Sequence, residues 1–352
     1  MIASFLKRCC IAVACALLAV AANARAAAAY DTLTVIGIFP SAFFEVMDAV
    51  AEYGGFYKEE HLNVVEQWSG NPSVAVQLVA AGKGDLASGN ITGNILGYER
   101  GVRMTAFLSR GPHLQGVLGV LANSPIHTLA DFKGKTIGET SIGQPGEVFT
   151  SVMLAGAGLK KGEYSFAPIG IGAQAISAVA TGKVDGLTQP FPQLRIYEVT
   201  GGLKFRYFFQ PILSDVPDDA FFTTPAILQS KSDLIRRFAR AQVKAAIFCR
   251  VNPELAAKYF AQFTGAKVTD EAIAQEVRLL AVTQDLLPGI QPLSKQIGAM
   301  PLNKMSLLAH FMYDNGLTAQ LVPTAAIATD EFVAFSNDFD HAAFAKRAKA
   351  MR

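Results

Sequence analysis

The side chains best suited to hold a small molecule follow predicted strands of this 352-residue chain. Asn90 and Gln189 carry amides that both donate and accept hydrogen bonds, and Arg110 brings the one charge among these candidates. Aromatic rings at strand ends can stack on a planar ligand. The full set of ligand-contact candidates is Phe39, Ser41, Trp68, Gly89, Asn90, Arg110, Gln144, Gln189, Phe191 and Phe222. This mixture favours a small planar or anionic organic ligand over a sugar or a peptide.

Each candidate also has an ordinary structural explanation. Ser41 and Gln144 stand near predicted helix N-termini, where free N–H groups favour anions but also need simple capping. Arg110 follows a predicted strand and can face either a cleft or the solvent. Most aromatic side chains belong to a hydrophobic core. The residue types alone therefore leave these alternatives open.

Sequence motifs of catalysis and of metal binding are not found. Residues 134–136, Gly-Lys-Thr, resemble the end of a phosphate-binding loop, but Leu129 stands where that motif needs glycine. The five histidines lack the spacing of metal ligands, and no G-x-S-x-G elbow occurs. Cys249 is the one cysteine beyond the first 26 residues, so it has no partner for an internal disulfide. We expect no catalytic residues, no metal and no cofactor.

Residues 1–26 have the pattern of a secretory signal peptide. Lys7 and Arg8 precede an apolar stretch from Cys9 to Ala22, and Ala-x-Ala cleavage sites follow. The stretch is shorter than the roughly 20 residues that span a bilayer, which disfavours the alternative of a retained anchor. We expect export to the periplasm. The formal charge of +2, without a basic run after the leader, argues against nucleic-acid binding. Hydrophobic residues make up 51% and charged residues 17%, as in a globular protein, and we expect a monomer.

Strands and helices alternate from Leu33 onward, which favours an α/β fold with parallel, doubly wound sheets. Residues 79–86, Val-Ala-Ala-Gly-Lys-Gly-Asp-Leu, nearly recur as residues 179–187 with one insertion. Each copy predicts a helix-ending glycine, a turn and a strand, so two copies predict two similar lobes. Ligands of such sheets bind beyond the carboxyl ends of the strands. The polar residues after each copy, 88–90 and 188–190, therefore indicate the site.

The chain resembles the type 2 periplasmic binding proteins of the nitrate, sulfonate, taurine and thiamine-precursor branch. The resemblance extends from Leu33 to about Val282. The segments that carry it are residues 53–62, 82–85, 128–138 and 182–185. It implies two doubly wound α/β lobes joined by a two-strand hinge, with a helical C-terminal region. Lobe 1 would comprise residues 31–118 and 222–352, and lobe 2 residues 119–221, with crossings near 116–120 and 208–222.

The resemblance also implies a function. Its members are substrate-binding proteins of ABC importers, which close on a small molecule and deliver it to a membrane permease with its ATPase. They are not enzymes. Two alternatives remain open: an enzyme similar to the fungal thiamine-pyrimidine synthase, whose cysteine-rich motif this chain lacks, and a periplasmic sensing subunit that presents its closed form to a receptor.

Overall fold

The computed structural model describes residues 30–40, 45–111, 117–141, 145–210, 216–217, 219–283 and 296–352. The predicted signal peptide lies outside these ranges. The strands are β1 (Asp31–Gly37), β2 (Leu62–Trp68), β3 (Leu86–Asn90), β4 (Thr105–Gly111), β5 (Val117–Leu121), β6 (Thr136–Glu139), β7 (Ser165–Pro168), β8 (Gly186–Gln189), β9 (Phe205–Phe208) and β10 (Asp219–Thr223).

Helices connect most of these strands and form the C-terminal region. They are α1 (Val46–Tyr53), α2 (Phe56–Glu59), α3 (Pro72–Ala80), α4 (Ile91–Glu99), α5 (Pro145–Gly156), α6 (Ala173–Ala180), α7 (Phe191–Gly201), α8 (Pro225–Ser230), α9 (Ser232–Val251), α10 (Pro253–Thr264), α11 (Asp270–Thr283), α12 (Leu302–Asp314), α13 (Val333–Ser336) and α14 (His341–Ala350). None of the helices in the described ranges is long and apolar enough to cross a membrane.

The strands form two five-stranded sheets, ordered β2-β1-β3-β10-β4 and β7-β6-β8-β5-β9. The predicted two-sheet α/β fold with a helical C-terminal region is confirmed. Both sheets are mixed, however, and not purely parallel as the strand–helix alternation suggested. In the first sheet β10 runs antiparallel to β3 and β4, and in the second β5 runs antiparallel to β8 and β9. The reason is that each of these strands enters its sheet from the other sheet, at the carboxyl edge.

The connection between β4 and β5 limits how far apart the two sheets can lie at this point. Gly111 ends β4 at the carboxyl edge of the first sheet, and Val117 starts β5 beside Gln189, the last residue of β8. An extended chain of this length spans at most roughly 20 Å. The two carboxyl edges are therefore neighbours at this point. The return from Phe208 to Asp219 joins the same two edges.

Sheet membership also bears on the predicted lobe limits. All of β5 belongs to the second sheet and all of β10 to the first, so neither strand is shared between sheets. The sheets therefore change at residues 112–116 and 209–218, a few residues from the predicted limits at 118/119 and 221/222. How far each lobe extends as a unit stays a prediction.

The C-terminal helices contact helices that pack beside each of the two sheets. Helix α9 packs on α1, α13 and α14 beside the first sheet. Helix α11 contacts α7, and the ring of Phe311 in α12 lies 6.0 Å from that of Phe149 in α5. Residues 222–352, predicted as part of lobe 1, thus also reach the helices that cover the second sheet.

The sequence repeat has one structural role in both sheets. Gly82 lies two residues after the end of α3, and Gly182 lies two residues after the end of α6. Both have φ of 73°, a left-handed conformation that glycine adopts without strain. Each turn leads directly into the third strand of its parallel set, β3 or β8. The repeat therefore marks equivalent turns, as predicted.

An aspartate in each copy makes two hydrogen bonds to one residue of the neighbouring strand. Asp85 Oδ2 accepts a hydrogen bond from Thr34 N at 2.9 Å, and Asp85 N donates to Thr34 O at 2.8 Å. Asp185 makes the same two bonds with Thr136, at 2.9 and 2.7 Å. These contacts align the first and third strands, so that Asn90 and Gln189 end their strands at matching positions.

We expect Asp85→Ala and Asp185→Ala each to lower the free energy of unfolding by about 1–3 kcal/mol, because a backbone N–H loses a charged acceptor. Asp233→Ala is the control, since Asp233 forms an exposed ion pair with Arg237 on the same helix. Urea unfolding followed by circular dichroism measures all three. Equal midpoints for Asp85→Ala and Asp233→Ala would contradict this role.

Candidate functional site

Asn90 and Gln189 occupy equivalent positions at the carboxyl edges. Asn90 ends β3 and is paired with Asp219 of β10, while Gln189 ends β8 and is paired with Val117 of β5. Both residues thus adjoin a strand that begins directly after a crossing between the sheets. Contact of either residue with a ligand stays a prediction, but their positions are those that the repeat predicted.

The amide of Asn90 also caps a helix. Its Oδ1 accepts a hydrogen bond from Gly93 N at 2.6 Å at the start of α4. This contact uses the carbonyl of the side chain and orients the NH₂ group. Beside it, Gly89 is buried, and the fully buried ring of Phe222 lies within van der Waals distance of where a Cβ of Gly89 would be. Phe222 is therefore part of the core beneath the edge.

Arg110 lies in neither of the two environments that the sequence left open. Its side chain is 1% exposed, and Nη2 lies 2.6 Å from both Glu45 Oε2 and Asp48 Oδ2. The guanidinium also lies 4.5 Å from the ring centre of Phe221. Although burial lowers the pKa of Arg110, the two carboxylates raise it above its ordinary value, so the guanidinium stays charged. Arg110 is the centre of a buried ion cluster.

Asp48 connects this cluster to two further helices. Its Oδ1 accepts hydrogen bonds from Tyr57 Oη at 3.2 Å and from Gln242 Nε2 at 2.5 Å. Burial raises the pKa of Asp48 well above its ordinary range, although Arg110 opposes that shift. Sequence reasoning missed Glu45 and Asp48. The sequence feature that could have identified them is a pair of acids three residues apart, next to apolar positions of a predicted helix.

Two aromatic side chains are exposed at the carboxyl ends of β1 and β2. Phe39 is 46% exposed and Trp68 is 37% exposed, although both are large and apolar. The Trp68 ring covers Gly37, where an added Cβ would come within 2.3 Å of it. The rings of Trp68 and Phe263 are nearly perpendicular, with their centres 5.7 Å apart. The structure therefore holds the indole in place while leaving part of it open.

Glu139 is a third residue that sequence reasoning missed. It ends β6, is 3% exposed, and its Oε1 accepts a hydrogen bond from Thr140 N at 3.2 Å. Within the described part of the chain its Oε2 has no hydrogen-bond partner. A Cβ added at Gly146 would lie 2.7 Å from this atom, so the carboxyl group lies against the first turn of α5. Burial raises the pKa of Glu139 to about 8.

Gln189 lies next to this carboxyl group. Its Oε1 accepts a hydrogen bond from Thr140 Oγ1 at 3.1 Å, so Thr140 contacts both Glu139 and Gln189. Gln189 is buried, and its Nε2 has no hydrogen-bond partner among the residues that the structure describes. Two buried polar atoms, one acceptor and one donor, are thus left at adjacent strand ends.

The remaining candidates are buried in the core or lie outside the described residues. Phe191 is buried at the start of α7, with its ring edge-on to Tyr207 at 5.4 Å, and belongs to the core. Ser41 and Gln144 lie outside the described residues. Phe39, Trp68, Asn90 and Gln189 thus lie at or just after strand ends, and of these Phe39 and Trp68 are exposed whereas Gln189 is buried. Gly89, Phe191, Phe222 and Arg110 are buried as well.

We expect Arg110→Ala to lower the free energy of unfolding by about 3–5 kcal/mol, because it leaves Glu45 and Asp48 buried without a cation. Arg347→Ala, which breaks an exposed ion pair with Glu59, should change it by less than about 0.5 kcal/mol. Chemical denaturation measures both. Similar midpoints for the two variants would show that the cluster does not stabilise the fold.

Comparison with known proteins gives the family. The profile of the NMT1/THI5-like family matches residues 46–256, a span that contains Asn90, Arg110, Glu139 and Gln189. No curated protein sequence matches the chain.

Several solved structures share the fold. The alkanesulfonate-binding protein SsuA of Xanthomonas axonopodis pv. citri, solved with MOPS, has a TM-score of 0.63 at 17% identity, covering 86% of this chain and all of its own. The periplasmic aliphatic sulphonate-binding protein SsuA of Escherichia coli has a TM-score of 0.63 at 18% identity, with coverages of 85% and 92%. The periplasmic nitrate-binding protein NrtA of Synechocystis has a TM-score of 0.60 at 13% identity, with coverages of 87% and 88%. At such identities these structures show the fold, and the profile match shows the family: the chain belongs to the NMT1/THI5-like family.

Proposed function

We propose that this protein is the substrate-binding protein of an ABC importer, which captures a small organic molecule between its two sheets and delivers it to a membrane permease with its ATPase. The observation that carries the proposal is the pair of equivalent strand ends, Asn90 and Gln189, at carboxyl edges that a short crossing keeps close together. The fold shared with two SsuA proteins and NrtA supports the same function. Such a protein works in the periplasm, in agreement with the predicted leader.

The contacts with ligand follow from exposure and chemistry. We assign Phe39 and Trp68 as stacking surfaces for a planar molecule, because their rings are partly open at the strand ends. Asn90 and Gln189 supply hydrogen bonds from opposite sheets. Gly89, Phe191 and Phe222 form the support behind these groups. Arg110 acts through Glu45 and Asp48, which begin α1 and hold it against β4.

The chemistry of Cys249 supports binding over the enzyme alternative. The thiol is buried inside α9, and burial raises its pKa to about 12. A thiol of that pKa is protonated at neutral pH and is a poor nucleophile or metal ligand. Cys249 therefore gives this chain no counterpart to the cysteine-rich motif of the thiamine-pyrimidine synthase.

The binding site is tested with a ligand found by thermal-shift screening of sulfonates, aromatic carboxylates and pyrimidines, since a bound ligand stabilises the folded state. Calorimetric titration should then show Asn90→Ser and Gln189→Ala each binding roughly five- to tenfold more weakly, the loss of about one hydrogen bond. Serine retains an acceptor for the helix cap, so Asn90→Ser changes the NH₂ group without removing the cap.

Asn63→Ala is the control, because Asn63 lies exposed in β2 and its replacement should leave the affinity for the ligand unchanged. Unchanged affinity in both site variants would show that the site is misplaced. Consumption of the ligand during incubation, measured by mass spectrometry, would instead favour an enzyme.

A further inference from the structure

Helix α12 is attached to the first sheet on both sides of its own length. Before the helix, Gly298 O accepts a hydrogen bond from Ser109 N of β4 at 3.0 Å. After the helix, Ile327 O accepts one from Ala106 N, also in β4, at 2.8 Å, and Thr329 N donates to Ala106 O at 2.9 Å. Because the chain is bonded to β4 before and after α12, this helix moves with the first sheet.

The side chain of Phe311 in α12 nevertheless contacts a helix of the second sheet. Its ring centre lies 6.0 Å from that of Phe149 in α5, and the two residues are only 9% and 3% exposed. Phe149 stands near the start of α5, which lies beside Glu139 of β6 and Thr188 of β8, as the surroundings of Gly146 show. The contact therefore joins the first sheet's C-terminal region to the carboxyl edge of the second sheet.

One hydrophobic core runs through this contact. It contains Ile36 and Phe222 from strands of the first sheet, Val117 and Leu187 from strands of the second, and Met305 from α12. Separation of the sheets would expose apolar side chains of this core to water, which is unfavourable. The core therefore favours the arrangement of the two sheets that contains it.

Helix α11 makes a second contact with a helix of the second sheet, at the opposite side of the first sheet. Ile273 of α11 is buried against Ala257 and Ala261 of α10, and α10 reaches the end of β2, where Phe263 contacts Trp68. Helix α11 also packs on α7, which follows β8. Four strand spacings, roughly 19 Å, separate β2 from β4, where α12 is attached.

A hinge movement of the sheets would break these contacts. The chain passes between the sheets at residues 112–116 and 209–218, next to β4, β5, β9 and β10. Three strand spacings, roughly 14 Å, separate β2 from β10, and two, roughly 10 Å, separate β6 from β5. A rotation about the crossings therefore displaces α11 from α7 and Phe311 from Phe149.

We propose that α11 and α12 form a C-terminal clasp that closes when the two sheets approach, and that the contact of Phe311 with Phe149 stabilises the closed arrangement of the free protein. A molecule that binds between the sheets then binds more tightly, because a larger fraction of the free protein is already closed. This effect on affinity rests on the proposed function. The effect on the shape of the free protein does not.

Small-angle X-ray scattering of the free protein tests the clasp with Phe311→Ala and Phe149→Ala. Each variant loses the ring contact, so the population should shift toward the open arrangement and the radius of gyration should rise. Since both residues act through one contact, the double variant should show no larger rise than either single variant.

Phe344→Ala is the matched control. Phe344 lies in the C-terminal helix α14, is 6% exposed, and its ring centre lies 5.3 Å from that of Phe56 in α2, which also packs beside the first sheet. This change removes a similar ring pair without affecting a contact between the sheets, so the radius of gyration should stay as in the wild type. Circular dichroism checks folding, and a leucine variant replaces any alanine variant that does not fold.

Calorimetric titration extends the test to affinity. The probe is the compound that binds the wild type most tightly among sulfonates, aromatic carboxylates and pyrimidines. Phe311→Ala and Phe149→Ala should bind it roughly three- to tenfold more weakly, since an aromatic pair that exists only in the closed arrangement is lost, and Phe344→Ala should bind it unchanged.

The scattering results decide about the clasp by themselves. An unchanged radius of gyration in both clasp variants, or an equal rise in Phe344→Ala, would overturn the proposal. A smaller radius of gyration would overturn it too, because the contact would then stabilise an open arrangement. If the radius rises as expected but none of the compounds binds the wild type, the clasp stands and the proposed function loses its support.

Discussion

The short connection from Gly111 to Val117 constrains what this protein can do with a ligand. It joins the last residue of β4 in one sheet to the first residue of β5 in the other, so these ends are at most roughly 20 Å apart. The strand ends at Asn90 and Gln189 are therefore kept on neighbouring edges. Loops from both sheets can contact one molecule, while the cores of the sheets hold those loops in position.

Buried charge shapes these edges as much as topology does. Arg110, Glu45 and Asp48 form a cluster whose members would each be costly to bury alone, so they are stable only together. The cluster fixes α1 against β4 behind the strand ends, and it leaves little positive charge to offer a ligand. Glu139 has the corresponding place in the second sheet, where it contacts the start of α5.

Much of the fold could be predicted from local signals, because glycine and aspartate act within a few residues. The two Gly-Lys-x-Asp turns indicated both sheets, and Asp85 and Asp185 make matching contacts in them. The burial of Arg110 could not be predicted, since its partners stand 62 and 65 residues earlier in the chain. Phe191 and Phe222 were candidates for stacking, but the sequence does not tell which face of a strand end meets the core.

The central claim is that one small molecule is held between the two sheets. Small-angle X-ray scattering of the purified protein, with and without a saturating ligand from the screen, tests it most directly. A ligand that contacts both edges should draw the sheets together through changes in a few residues of the crossings, and the radius of gyration should fall. An unchanged radius of gyration with calorimetrically proven binding would contradict the account.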